Sequence, residues 1–225
     1  MFGLKFAMTQ EENIALAKRD VVDLIYKEAN LEGIAVTYPQ TQEIYDGRTV
    51  AGLTLQETKA INNLKHAWQF VLENLEADID LRFVRHINQL VGDEKVVLRA
   101  GEVRDFDVKI GGTDWVPEIP TVEGIIETLD EISKCSNPIE RGLLYFGAIT
   151  RGQWFQDGNK RTAQLVANTS LIKDGCGVLA IPTKDLLEAR ELLVDYYESA
   201  DYGKLSMFLY NKCLGGIKPL AKDKR

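Results

Sequence analysis

Apolar residues recur at intervals of three and four along most of this chain, interrupted by recognisable caps. Thr9, with Glu12 three residues on, has capping-box spacing and opens a helical run through Ile14, Leu16, Val21, Leu24 and Ile25 that Asn30 and Gly33 close. Residues 34–52 carry turn signals at Pro39 and Asp46-Gly47 and read as a connecting loop. Thr54 and Glu57 then cap a longer helix through Ile61, Leu64, Trp68, Val71 and Leu72. Another helix starts at Asp78 or Asp80, carries Phe83, Val84, Ile87 and Leu90, and ends at Gly92.

The texture changes over the next stretch. Val96 to Leu98, Val103, Phe106, Val108 and Ile110 approximate a period of two and are bracketed by Gly101 and Gly111-Gly112, which predicts a short hairpin. From Thr121 the helical period returns in Val122, Ile125, Ile126, Leu129 and Ile132, breaks at Asn137-Pro138, and resumes from Ile139 to Thr150. Helices are predicted from Arg161 to about Lys173, over 183–199 and over 204–213, with a turn at Asp174-Gly175-Cys176-Gly177. The expected architecture is mainly α with one small hairpin.

Composition narrows the function classes. A chain of 225 residues that is 45% hydrophobic and 27% charged can bury a sizeable core. Its net charge of -7 argues against a general nucleic-acid binder, which needs a basic footprint. Lys218, Lys222, Lys224 and Arg225 make residues 215–225 a basic tail, read as a solvated end. Cys135, Cys176 and Cys213 are odd in number and far apart, with no zinc spacing, which suits a reducing cytoplasm. No segment offers the roughly 20 apolar residues of a membrane span.

The chemistry concentrates between two predicted helices, in Gln153-Trp154-Phe155-Gln156-Asp157-Gly158-Asn159-Lys160-Arg161. Gly158 permits close backbone approach to a ligand, and the amides that follow point outward from a helix N-terminus. Arg161 offers a planar guanidinium for phosphate oxygens, and Asp157 is a hard oxygen ligand suited to magnesium.

From Phe155 onward this run resembles the core motif H-x-F-x-[DE]-G-N-[GK]-R of the Fic (Fido/Doc) family, matching every fixed place except the first. The resemblance extends upstream. Residues 101–117 look like the family's flap, a hairpin that positions a target by strand pairing, and Asn30-Leu31-Glu32-Gly33 is similar to the inhibitory-helix motif [ST]-x-x-x-E-[GN]. The family's fold is a helical Fic/Fido domain with a small β-hairpin flap, and its members transfer AMP or another phosphate-containing group to protein hydroxyls. The division this implies is an N-terminal helix and loop over 1–53, a Fic core over 54–214, and the tail.

Carried onto this chain, the resemblance makes Asp157 the magnesium ligand, Gly158 and Asn159 the phosphate cradle, and Arg161 the grip on the nucleotide, beside Lys160 and Gln164. Glu32 becomes the regulatory carboxylate, and Val103, Arg104, Val108 and Ile110 the target-docking edge. ATP and magnesium are the implied cofactors, and a protein substrate or regulatory protein the implied partner; a homodimer is a family-level expectation. Two departures matter. Gln153 stands where the family has its general-base histidine, and an amide cannot take a proton near neutral pH. Gln164 stands where many members have a second arginine that pairs with the inhibitory glutamate, and Glu28 occupies that motif's Ser/Thr place. The expected function is therefore a weak or inactive adenylyltransferase. The alternatives are a non-enzymatic nucleotide-binding or interaction module, a Doc-like phosphoryl transferase, or a transferase that needs no side-chain base. His66 and His86 are expected to be packing or surface residues, not substitute bases.

Overall fold

The structure, a computed structural model, describes residues 2–218. Of the basic tail, Lys222, Lys224 and Arg225 lie outside the described residues, while Lys218 is paired with Glu12.

Nine α-helices form the described chain. Thr9 caps α1 (Gln10–Leu31) and Thr54 caps α3 (Leu55–Glu73), each with the reciprocal backbone and side-chain bonds of a capping box. Asp80 caps α4 (Leu81–Val91) by accepting from the Phe83 amide at 2.8 Å, and Gly92 ends it. Thr121 opens α5 (Val122–Ser133), and Asn137 opens α6 (Pro138–Gly152) with proline in its first turn.

The loop expected over 34–52 contains a helix, α2 (Tyr38–Tyr45). Thr37 and Gln40 form its capping box, and Pro39 sits in the first turn, where its missing N–H costs nothing. Only Thr41 and Ile44 are buried, so the apolar stripe is too short to signal a period. The turn at Asp46-Gly47 follows it as expected.

At the centre runs α7 (Asn159–Lys173), in which every residue from Arg161 to Ile172 is buried. It packs along α6 and also meets α1, α3 and α4, as a helix enclosed on all sides must. A Cβ on Gly142 would lie 2.6 Å from Leu171 Cγ, so α6 and α7 approach at a place only glycine allows. Asn168 in α7 bonds both ways with the Leu179 backbone at 2.8 Å, fixing β1 (Val178–Leu179). A 3-10 turn at Thr183–Asp185 leads into α8 (Leu186–Ser199); α9 (Gly203–Phe208) runs into a π turn at Leu209–Cys213 and then β2 (Leu214–Gly215). The two short strands pair antiparallel.

The fold is thus mainly α, but its ladder lies at the C-terminal end of the chain, not in the flap. Within 101–117 the described residues form one isolated β-bridge, Val103 to Phe155, and otherwise an irregular extended loop. Arg104 occupies carbonyls that a ladder could use. Its buried side chain donates to the carbonyls of Phe106 (2.8 Å), Pro117 (3.3 Å) and Glu118, engaging acceptors of both arms.

Candidate functional site

Helix α6 ends in Gln153, whose backbone turns into the left-handed region (φ 46°, ψ 52°), and the chain crosses to Gly158 (φ 78°) before α7 begins. Asn159 braces the crossing from inside. Its side chain accepts from the Phe155 amide at 3.0 Å and donates to the Phe155 carbonyl at 2.8 Å and to Gln153 Oε1 at 3.1 Å. Gln153 Nε2 in turn donates to the Thr150 carbonyl at 2.6 Å, so both ends of the Gln153 amide are engaged. Phe155 is fully buried beneath the loop, the anchoring role its aromatic character predicts.

Two residues hold the loop from outside. Asn88 of α4 donates to the Asp157 carbonyl (3.0 Å) and to Thr162 Oγ1 (3.1 Å), and accepts from the Gly101 amide (2.8 Å). Arg104 donates from Nε to the Gln153 carbonyl at 2.5 Å, and its own amide bonds the Trp154 carbonyl at 2.9 Å.

Helices α1 to α6 each have a side chain capping the N-terminus; α7, α8 and α9 have none, and of these three α7 alone starts beside the motif loop. Its first amides, at Asn159, Lys160 and Arg161, therefore face outward with the positive end of the helix dipole, an arrangement suited to an anion. Gly158 makes the close turn possible: a Cβ there would lie 3.0 Å from Val91 Cγ1, on a backbone that side chains rarely adopt.

A carboxylate lies over this terminus. Glu32, the C-cap of α1 and 13% exposed, has Lys160 Nζ 3.5 Å from one oxygen and Arg161 Nε 3.7 Å from the other. At the negative end of the α1 dipole such a charge is unfavourable alone, and the two cations offset it. Arg161 also reaches Asp157 Oδ1 at 3.5 Å. Below Glu32, the buried Glu28 accepts from Trp68 Nε1 at 2.8 Å, and burial pushes its carboxyl up to about 8.

The Fic/DOC family model matches residues 78–171, from just before α4 to the last turn of α7. Residues 78–171 are a Fic/DOC domain. The protein adenylyltransferase fic-1 of Caenorhabditis briggsae is 24% identical over 197 residues, covering 82% of this chain and 38% of the relative. The protein adenylyltransferase Fic of Drosophila melanogaster is 26% identical over 170 residues, covering 70% and 34% respectively. The chain thus spans well under half the length of these curated relatives. Fic-1 from C. elegans superposes with a TM-score of 0.73 at 19% identity, over 86% of this chain and 61% of that one. A Fic family protein from Desulfovibrio desulfuricans G20 does so at 0.68 and 15%, over 93% and 73%. At these identities the structures establish the fold.

Within the Fic domain, Gln153, Asp157, Gly158, Asn159, Lys160 and Arg161 come together with Glu32 as the motif implies, but three details differ. The Asn159 side chain is turned inward and occupied by the loop, so only its backbone can cradle an anion. Gln164, which stands in place of the second arginine, is buried in α7 with neither side-chain polar atom in a well-formed hydrogen bond, and Glu32 pairs with Lys160 and Arg161. Arg104, expected on the docking edge, is 1% exposed and serves the interior. Val103, Val108 and Ile110 are all part-exposed, and Val103 is tied to Phe155 through the bridge. His66 is exposed on α3, and His86 packs edge-on against Phe70.

A cavity of 680 Å³ opens beside Lys160, lined by Leu31, Ile110, Gly112, Arg190 and Tyr197. Asn88 is the functional neighbour that the motif missed. Its polar side chain between Val84, Ile87 and Val91, on the buried face of α4, is the signal that could have found it.

Proposed function

We propose that this Fic domain binds ATP with magnesium at the α7 terminus and is a protein adenylyltransferase whose transfer activity is weak or lost. The observation that carries the proposal is the contrast within one loop: the uncapped α7 N-terminus with Lys160 and Arg161 is complete as a phosphate site, while both ends of the Gln153 amide are committed to hydrogen bonds. The relatives named protein adenylyltransferase support the reaction class, AMP moving from ATP to a protein hydroxyl.

The cavity beside Lys160 is of a size that suits a nucleoside, which would place the phosphates over α7. Asp157 is 61% exposed at the loop tip, and a lone carboxylate beside bound phosphates fits magnesium, which takes few protein ligands and keeps phosphate and water oxygens. When bound, the ion would neutralise phosphate charge. Arg161 would exchange Glu32 and Asp157 for phosphate oxygens, so Glu32 acts as a restraint that a nucleotide must displace. The target protein would lie along the flap at Val108 and Ile110, bringing its hydroxyl toward Gln153, where no group takes the proton.

Incubation with α-labelled ATP, magnesium and a cell extract tests this. Label on protein should stay at or near background, and Asp157→Ala should leave it there. Strong labelling that survives Gln153→Ala but vanishes in Asp157→Ala would overturn the inactive assignment.

A further inference from the structure

Behind the phosphate loop lies a buried polar cluster that the loop's own chemistry does not use. Seven buried side-chain polar atoms among the described residues lack a hydrogen bond, and five of them are here: Glu28 Oε1, Glu32 Oε1, Arg161 Nε and both polar atoms of Gln164. Glu32 Oε1 and Arg161 Nε are within ion-pair distance of partners, but none of the five makes a hydrogen bond, so hydrogen bonding is under-satisfied beside the residue that would grip phosphate.

Glu28 is 1% exposed and has one firm partner, Trp68 of α3. The charged groups beside it are Glu32 from its own helix and Arg161 from α7, with the neutral Gln164 amide alongside; α3, which supplies Trp68, and α2, β1 and the Thr183–Asp185 turn also pack on α1. Arg161 is in contact with two carboxylates, Asp157 and Glu32, and the buried Glu28 lies one turn of α1 before Glu32.

We infer that Glu28 is a positioning residue for Arg161: as a neutral acid it leaves the guanidinium available to phosphate, and as a carboxylate it draws the guanidinium inward and weakens anion binding at the loop. This rests on the α7 terminus being a phosphate site. The protonation change falls in an accessible range, because burial pushes Glu28 from its ordinary 4.5 to about 8. The stability linkage has a definite sign. Between those values the folded chain holds a proton that the unfolded chain has released, so the stabilisation is full below 4.5 and is lost as pH rises through about 8.

The test is calorimetric titration of the full chain with inorganic pyrophosphate and with magnesium-ADP at two pH values, about 7 and about 9, between which further phosphate ionisation would strengthen binding, the opposite of the change expected from Glu28. Affinity of the unmodified chain for both should fall about tenfold across that range. Glu28→Gln, which can still accept from Trp68, should keep the neutral-pH affinity at both values and lose the decline in melting temperature; Glu28→Thr is the second charge-free variant. Glu28→Gln showing the unmodified pH dependence of binding would overturn the inference. So would loss of the melting-temperature slope with binding unchanged, since Glu28 would then be structural only. Magnesium-ADP binding without a pH slope refutes this inference and spares the nucleotide reading; pyrophosphate binding with the slope but no ADP binding does the reverse. If neither ligand binds, both are overturned.

Discussion

Replacing Gln153 by histidine is expected to raise AMP transfer by roughly 10²–10⁴, the usual worth of a positioned general base. The site is ready for the exchange. Residue 153 sits in the left-handed region, which histidine tolerates better than most side chains, so the turn that ends α6 should survive. The Thr150 carbonyl, now accepting from the glutamine amide, would accept from one ring N–H and set the tautomer, leaving the other nitrogen to receive a proton. Because the Asp157 to Arg161 segment is untouched, nucleotide affinity should stay within a few-fold. Initial rates of label transfer at saturating ATP measure the effect. Unchanged transfer with unchanged affinity would mean that something other than the missing base limits the reaction.

The second large effect is on stability. Arg104→Ala should cost about 3–5 kcal/mol, because it deprives four carbonyls of a shared donor and removes an almost fully enclosed side chain. Those carbonyls belong to Gln153, Phe106, Pro117 and Glu118, so one side chain joins the motif loop to both arms of the flap. No carboxylate lies within ion-pair distance of it among the described residues; the guanidinium is solvated by backbone dipoles, and burial lowers its affinity for its proton. Lysine cannot reproduce the fork, so Arg104→Lys should recover only part of the loss. Urea unfolding followed by far-ultraviolet circular dichroism reads both variants, and an alanine penalty below about 1 kcal/mol would contradict the bracing role.

These two residues also mark what the sequence could and could not reveal. Helix starts were legible wherever a cap and an apolar stripe coincided, as at Thr9, Thr54 and Asp80, because both signals are local. The motif loop was legible for the same reason: its glycine, its acid and its arginine lie within five positions. Arg104 was not, since its carbonyl partners lie up to 49 residues away and a charged residue in a glycine-flanked run reads as exposed. The hairpin failed with it: alternating apolar positions announce an extended chain but say nothing about whether its carbonyls remain available for a ladder. Glu28 was half legible. It follows Leu24 by four and Ile25 by three, on the buried stripe of α1, and a carboxylate in that register points to an altered protonation state.

Calorimetric titration of the unmodified chain with ATP and magnesium, repeated on Arg161→Ala, tests the central claim most directly: a phosphate site that is complete beside a base that is missing. One-site binding by the unmodified chain, weakened at least about tenfold by Arg161→Ala, is the predicted result. No binding by the unmodified chain, or equal binding by both, would contradict it.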